Sequence, residues 1–278
     1  MKILEQLPTI ANVAAGNTVS IVMPTGNTYE AVYLYFSGVT ATQLKNIRHE
    51  INGNLISEYV NGQRILSIDA HYDRAATSGC ITFNFKRPEL HQLRDKRFFG
   101  LDTHKSQGIQ TCNISIDIDA GATAPVLTAW ADKVQSIAGV PNYLTKFRRF
   151  IVPVSQSGQF DIDNIPRPRG ASIAAFHLYM PDANADGSCE ITKAELVVDN
   201  TNWHNIPADK AADIQKANGR VPQVADATVI DLIRDGDITH ALALRAEIQD
   251  MRLRCTAAST GQVEVMVEYI DIYSPVGF

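Results

Sequence analysis

Thr111-Cys112-Asn113-Ile114-Ser115-Ile116-Asp117-Ile118 alternates polar and apolar residues without a break. A period of two puts one set of side chains on each face of a strand, so the apolar set must be covered. Working outward, Glu30–Phe36 and Cys80–Phe85 carry the same β-branched and aromatic enrichment. So do Ile173–Tyr179, Ala194–Val198, Thr228–Ile233 and Val263–Ile270 in the second half. Helical periodicity is confined to short stretches at Leu90–Phe99, Leu127–Ile137, Ala208–Ala217 and Thr239–Ile248.

The two halves repeat one plan. Tyr35 falls opposite Leu178 at an offset of 143, each inside a strand that ends just before a turn. Ile51-Asn52-Gly53 falls opposite Val198-Asp199-Asn200 at 147, each a strand followed by a turn dipeptide. Phe83-Asn84-Phe85 falls opposite Asp231-Leu232-Ile233 at 148, and Cys112 opposite Cys255 at 143. Strand, turn, strand, short helix, strand, strand recurs in the same order, which predicts a duplicated β domain. The expected fold class is therefore all-β with short helices, one β-sandwich following another. Each half has room for about eight strands. Spacing alone suits two jelly rolls or two immunoglobulin-like sandwiches; a helix between the late strands favours the jelly roll. Gly139-Val140-Pro141-Asn142 marks the expected boundary. It divides the chain into 1–140, with an N-terminal arm at Met1–Leu7 that orders on assembly, and 141–278. Pro166-Arg167-Pro168-Arg169-Gly170 reads as a rigid turn inside the second copy.

Short words kept in order along the chain carry a family resemblance. They include Ile10-Ala-Asn-Val-Ala-Ala-Gly-Asn17, Thr28-Tyr29-Glu30, Ser37-Gly38-Val39-Thr40 and Lys45-Asn46-Ile47-Arg48. Glu50-Ile51-Asn52-Gly53, Arg87-Pro88-Glu89, Pro166-Arg167-Pro168, Ile248–Leu253 and Val267-Glu268-Tyr269 continue the series. In these the chain resembles the major capsid proteins of corticoviruses, marine bacteriophages that carry a membrane inside an icosahedral shell. The resemblance implies a double jelly roll and a structural, non-enzymatic role as a coat subunit of the virion. It also implies pseudo-hexagonal homotrimers that contact neighbouring trimers, a vertex or spike protein, and internal membrane proteins or lipid headgroups.

Composition bounds the alternatives. The chain has 278 residues, 45% apolar and 20% charged, as a folded globular protein has. A net charge of −5 argues against a protein that coats nucleic acid, which needs excess Lys and Arg; no specific nucleic-acid partner is expected. No secretory signal is visible in Met1–Val22, and no apolar run approaches the ~20 residues that cross a bilayer. Synthesis in the host cytoplasm is expected. Cys80, Cys112, Cys189 and Cys255 stand apart, with no C-x-x-C pair, and read as buried thiols.

One local motif has clear chemistry. Asp182, Asn184, Asp186, Ser188 and Glu190 place oxygen donors at alternate positions of a tight loop, with Gly187 to allow a backbone reversal. Ca²⁺ wants about six to eight hard oxygen ligands, so the loop is expected to hold a structural calcium ion. Lys193 stands where an EF-hand carries its last Glu, and strands flank the loop. A polar hairpin turn uses the same residue types.

Other candidates are weaker. No nucleophile elbow, P-loop or dinucleotide fingerprint is present. The carboxylate pairs Asp117/Asp119, Asp161/Asp163 and Asp235/Asp237 suit strand ends and turns better than glycoside chemistry. His177 reads as a satisfied core residue, and Trp130 and Trp203 as core or interface packing. Lys146, Arg148, Arg149, Arg167 and Arg169 make a local basic excess suited to lipid phosphate or to a solvated strand edge; Lys86, Arg87, Arg94, Lys96 and Arg97 make a second. The rival function is a calcium-dependent carbohydrate-binding β-sandwich.

Overall fold

Sheets with one apolar face must bury it in pairs, and the computed structural model, which describes residues 2–137, 140–180 and 187–273, consists of such pairs. Contacts divide the chain into two compact units. Unit 1 is Met1–Asp69, Arg74–Phe147 and Ile272–Phe278; unit 2 is Ala70–Asp73 and Arg148–Asp271.

In unit 1, β1 (Lys2–Gln6), β9 (Val126–Gln135), β3 (Asn27–Ser37) and β6 (Cys80–Asn84) form one sheet in that order, and β7 (Leu101–Asp102) pairs with the start of β3. The other sheet runs β2 (Thr18–Val22), β8 (Cys112–Ile118), β4 (Leu44–Ile51), β5 (Asn54–Asn61). β10 (Tyr143–Val154) begins here, where Phe147 pairs in parallel with Ser57. In unit 2 the first sheet runs β10, β18 (Gly261–Ile272), β12 (Ser172–Tyr179), β15 (Ala227–Asp231), with β16 (Leu242–Ala243) on β12. Its second sheet runs β11 (Gly158–Ile162), β17 (Met251–Ala257), β13 (Ile191–Val198), β14 (Thr201–Pro207). Adding nine to every strand number of unit 1 reproduces unit 2, the short β7/β16 strands included. Two four-stranded antiparallel sheets interleaved in this order make a jelly roll, and the chain contains it twice. Helices follow the same rule: α1 (Gly62–His71) joins β5 to β6, and α3 (Ala208–Ala217) joins β14 to β15. After β6 comes α2 (Leu93–Phe98), and after β15 the 3₁₀ turn Ile238–His240.

The repeat extends to individual hydrogen bonds. Asn52 and Gly53, at φ 51° and 78°, close the β4–β5 hairpin; Asp199 and Asn200, at 47° and 63°, close β13–β14. Two residues with positive φ between antiparallel strands match strand twist. The Asn52 amide donates to the Thr111 carbonyl (2.9 Å), while Asn52 Oδ1 accepts from the Gln110 and Thr111 amides (2.7 and 3.0 Å). The Asp199 amide donates to the Asp250 carbonyl (3.0 Å), and Asp199 Oδ1 accepts from the Gln249 and Asp250 amides (2.9 and 3.0 Å). Each turn thus clamps the residues that lead into β8 or β17.

Each unit has its own core. Ile21, Val32, Leu34, Ile47, Ile81, Ile114 and Leu127 belong to the first, Phe176, Ile191, Leu196, Leu253, Val265 and Val267 to the second. A side chain of this kind contributes roughly 1.5–3 kcal/mol when fully buried. The four cysteines are free and buried among them.

Several expectations change. Within the expected arm, Lys2–Gln6 pairs residue by residue with Val134–Trp130, and Leu7 is buried. Leu127–Ile137 is not helical but lies largely in β9. In Thr239–Ile248 only the end of a 3₁₀ turn is helical before β16. The expected boundary at 140/141 is not among these changes: contacts place the division between Phe147 and Arg148, a few residues on, because β10 starts in unit 1 and continues in unit 2. Of the two readings given for Trp130 and Trp203, core packing falls, because they are 38% and 53% exposed.

The clamp gives a direct stability test. Asp199→Asn keeps the acceptor oxygen and tolerates positive φ, so it should unfold within about 0.5 kcal/mol of the parent in urea. Asp199→Val loses both accepted bonds and strains the turn, and should cost about 2 kcal/mol or more.

Candidate functional site

The expected calcium ligands Asp182, Asn184 and Asp186 lie outside the described residues. Gly187 has φ +80°, the left-handed conformation that a reversal at that point requires. Ser188 is exposed, whereas Glu190, at the entry to β13, is 2% exposed. Neighbouring backbone is pinned on both sides: the Cys189 amide donates to the Val224 carbonyl (2.7 Å) and the Ala258 amide to the Glu190 carbonyl (2.8 Å). Among the described residues, no group of three or more His, Cys, Asp or Glu side chains is placed to hold a metal.

The carboxylate pairs serve the fold. Asp117 accepts from Thr18 Oγ1 (2.6 Å) and Asn46 Nδ2 (2.9 Å). Asp119 pairs with Lys45 and accepts from the Gly121 amide. Asp161 meets Arg254 at 3.1 Å, Asp235 meets His240 at 2.7 Å, and Asp237 caps the 3₁₀ turn through the Thr239 amide.

The basic residues are also largely engaged within their own units. Lys146 is buried and donates to the Ile272 carbonyl (3.1 Å). Arg149 pairs with Glu264 (2.8 Å), and Arg167 donates to the Ile248 and Gln249 carbonyls (both 3.2 Å). Lys86 pairs with Glu30, and buried Arg87 with Glu89 (2.9 Å). Arg74 bridges Asp69 and Glu89 at 2.8 Å each.

His177 is the satisfied core residue the sequence suggests, but the group of buried titratable side chains around it escapes a sequence reading. In unit 2, Tyr72 Oη donates to Glu268 Oε2 (2.7 Å), and His177 Nε2 lies 3.2 Å from the same oxygen. Arg220 Nε donates to Asp231 Oδ2 (2.8 Å), while His71 Nε2 lies 3.5 Å from that oxygen, too long for a good hydrogen bond. The His71 and His177 rings meet edge to face at 5.7 Å. Burial alone would raise the Asp231 carboxyl, but His71 and the Arg220 guanidinium outweigh it and hold it below its ordinary range. Burial pushes His71 down, against the pull of Asp231. The one signal in the sequence is three polar residues, His177, Asp231 and Glu268, inside otherwise apolar strands that the sheet sets side by side.

The arrangement is one of pinned strands and neutralised charges, and comparison with known proteins agrees. Residues 4–135 match the family described as Viral coat protein P2 N-terminal domain, and residues 144–273 match Viral coat protein P2 C-terminal domain. Major capsid protein P2 of Pseudoalteromonas phage PM2 is 35% identical over the whole of both chains. The chain belongs to the P2 family of viral coat proteins. The crystal structure of the PM2 P2 protein superposes with a TM-score of 0.92 at 33% identity, covering 100% of each chain. The STIV MCP shares the fold, with a TM-score of 0.71 at 13% identity, over 98% of this chain and 97% of that one. The chain is thus a double jelly roll with a structural role in a capsid. The comparisons support the coat reading and give no support to carbohydrate binding.

Buried histidine gives this coat protein a pH dependence. His49 is buried between Cys112 Sγ (3.3 Å) and the Phe85 ring (5.3 Å), and burial pushes its pKa down to about 4. The unfolded chain therefore binds this proton more readily than the folded one. Its stabilising share is complete above about pH 6.5 and is lost as pH falls towards 4, by about 3 kcal/mol in all. His49→Leu should flatten that part of the melting-temperature profile; an unchanged slope between pH 6.5 and 4 would contradict the assignment.

Proposed function

We propose that this chain is the major building subunit of an icosahedral virion: three copies form a pseudo-hexagonal trimer, and trimers tile a shell around an internal membrane. The observation that carries the reading is the repetition of one strand order, and of one turn clamp, in a single chain. A threefold ring of such chains presents six similar domains, which suits a sixfold lattice that a closed C3 oligomer of single domains would not match. Strand pairing and buried salt links supply rigidity, which a container needs. Neighbouring trimers, a vertex or spike protein, and internal membrane proteins or lipid headgroups are its partners in this reading. Synthesis takes place in the host cytoplasm, and the subunit has no catalytic duty.

A structural calcium ion on Asp182, Asn184, Asp186, Ser188 and Glu190 belongs to the same proposal. Its support is the alternating oxygen donors in the sequence and the left-handed Gly187 at the required reversal. Calcium there would tie the end of β12 to the start of β13.

Two measurements test these statements separately. Light scattering on the purified chain should give three times its 30.5 kDa mass, with no signal on a glycan array; a monomer that binds glycans would reverse the assignment. Millimolar calcium should raise the melting temperature by several degrees, and Asp186→Ala should abolish the rise. A rise that persists in Asp186→Ala would place the ion elsewhere.

A further inference from the structure

Antiparallel sheets in a sandwich ordinarily turn polar residues to the outside. The second sheet of unit 2 largely obeys this rule, showing Asp161, Arg252 and Arg254, each about one-third exposed, on its outer face, although Trp203 on its edge strand β14 is 53% exposed. The first sheet of unit 1 does not. Across its strands the outward residues are Leu4 on β1, Val126 and Trp130 on β9, and Tyr33 and Tyr35 on β3. The register brings them together: Trp130 stands opposite both Gln6 and Tyr33, and Asp132, next outward on β9, opposite both Leu4 and Ala31. Leu4 is 70% exposed, Val126 56% and Tyr35 43%. The three strands β1, β9 and β3, about 4.8 Å apart, and six residues of about 3.4 Å give a face of about 300 Å². The exposed apolar side chains share this face with Gln6, Thr128 and Asp132 and are comparable to the largest apolar patch of an ordinary monomer, which is often functional.

Charge narrows the partner. The cation on this face, Lys2, lies 3.0 Å from Asp132 and 3.1 Å from Glu30, so it is neutralised within the chain. The apolar centre therefore offers nothing to a phosphate or to a strongly charged protein. It suits an apolar surface with few charges. Membership of a coat-protein family supplies one such partner in high copy number, the chain itself.

We propose that this face of unit 1, centred on Trp130 and Tyr35, is an interface with a second copy of the same chain. The inference rests on the coat-subunit reading and deepens it. In a threefold ring the contact is heterologous, so the face meets a different surface of the next copy and not its own counterpart. About 300 Å² is roughly a third of one partner's share of a standard interface, the apolar centre that a polar rim surrounds.

The chain has two tryptophans, so Trp203→Phe leaves Trp130 as the reporter. In that background, Trp130 emission should shift to the blue, and acrylamide quenching should fall several-fold when dilute protein is concentrated into its assembled form. Trp130→Glu should reduce the assembled fraction about tenfold or more with an unchanged circular dichroism spectrum; Tyr35→Lys serves if Trp130→Glu does not fold. Assembly with Trp130 as quenchable as in the dilute protein, and undiminished in both variants, overturns the interface while leaving the coat subunit intact. A parent chain that never self-associates overturns both. Flotation of the chain with phosphatidylcholine–phosphatidylglycerol vesicles, lost in Trp130→Glu, would give the face to lipid and overturn the proposal.

Discussion

Each unit depends on one constraint: a strand that alternates polar and apolar residues must turn its apolar face towards another sheet. The β2–β8 pair shows it plainly. Val19, Ile21, Ile114 and Ile116 fall on the inner face through the register of these two strands, and all four are buried. A slip of one residue would send one strand's pair to solvent and bring Ser20 or Ser115 inward. The Asn52 and Asp199 clamps act against such slips. Each fixes where β8 or β17 begins relative to a hairpin, by three hydrogen bonds from a single residue. Packing provides the stability, and the clamps set the register in which packing is possible.

Duplication gives that architecture its use. In the proposed trimer, two copies of one sandwich in a chain would let three chains approximate sixfold symmetry, which would make the shared strand order a functional feature. The polar chemistry is consistent with a static role. Asp231 is fixed by Arg220, Glu268 by Tyr72 and Glu89 by two arginines, arrangements in which removing one partner would strand a buried charge. Among the described residues, the Trp130 face gathers exposed large apolar side chains on the outside of a sheet, and a subunit covered by its neighbours, as proposed, would have reason to carry one.

Much of the fold is legible because its signals are local. The alternation in Thr111–Ile118 marks β8, and the paired turn dipeptides mark the hairpins of both units. The jelly roll itself requires the family resemblance and the interstrand helix, since spacing alone suits other sandwiches. β9 imitates a helix because its binary pattern is inverted at several places, two of them large. Lys133 points inward, 3% exposed, paired with Glu5 and 5.3 Å from the Tyr29 ring centroid, while Trp130 points outward. Both departures follow from tertiary contacts that no local window contains. α1 does carry a local signal that the strand-dominated reading passes over: Asn61 Oδ1 accepts from the Arg64 amide, an N-cap before apolar Ile65 and Ile68 at helical spacing. Of the proposed calcium ligands, Ser188 and Glu190 fall among the described residues, and their neighbour Gly187 adopts the expected turn conformation. The buried Tyr72–Glu268–His177 group is illegible in position, because it joins residues nearly two hundred apart in the chain.

Electron cryomicroscopy of the assembled protein tests the use of the duplication most directly. A chain that supplies two equivalent sandwiches requires capsomers with six lobes built by three chains, one jelly roll to each lobe. Capsomers with as many chains as lobes would contradict it.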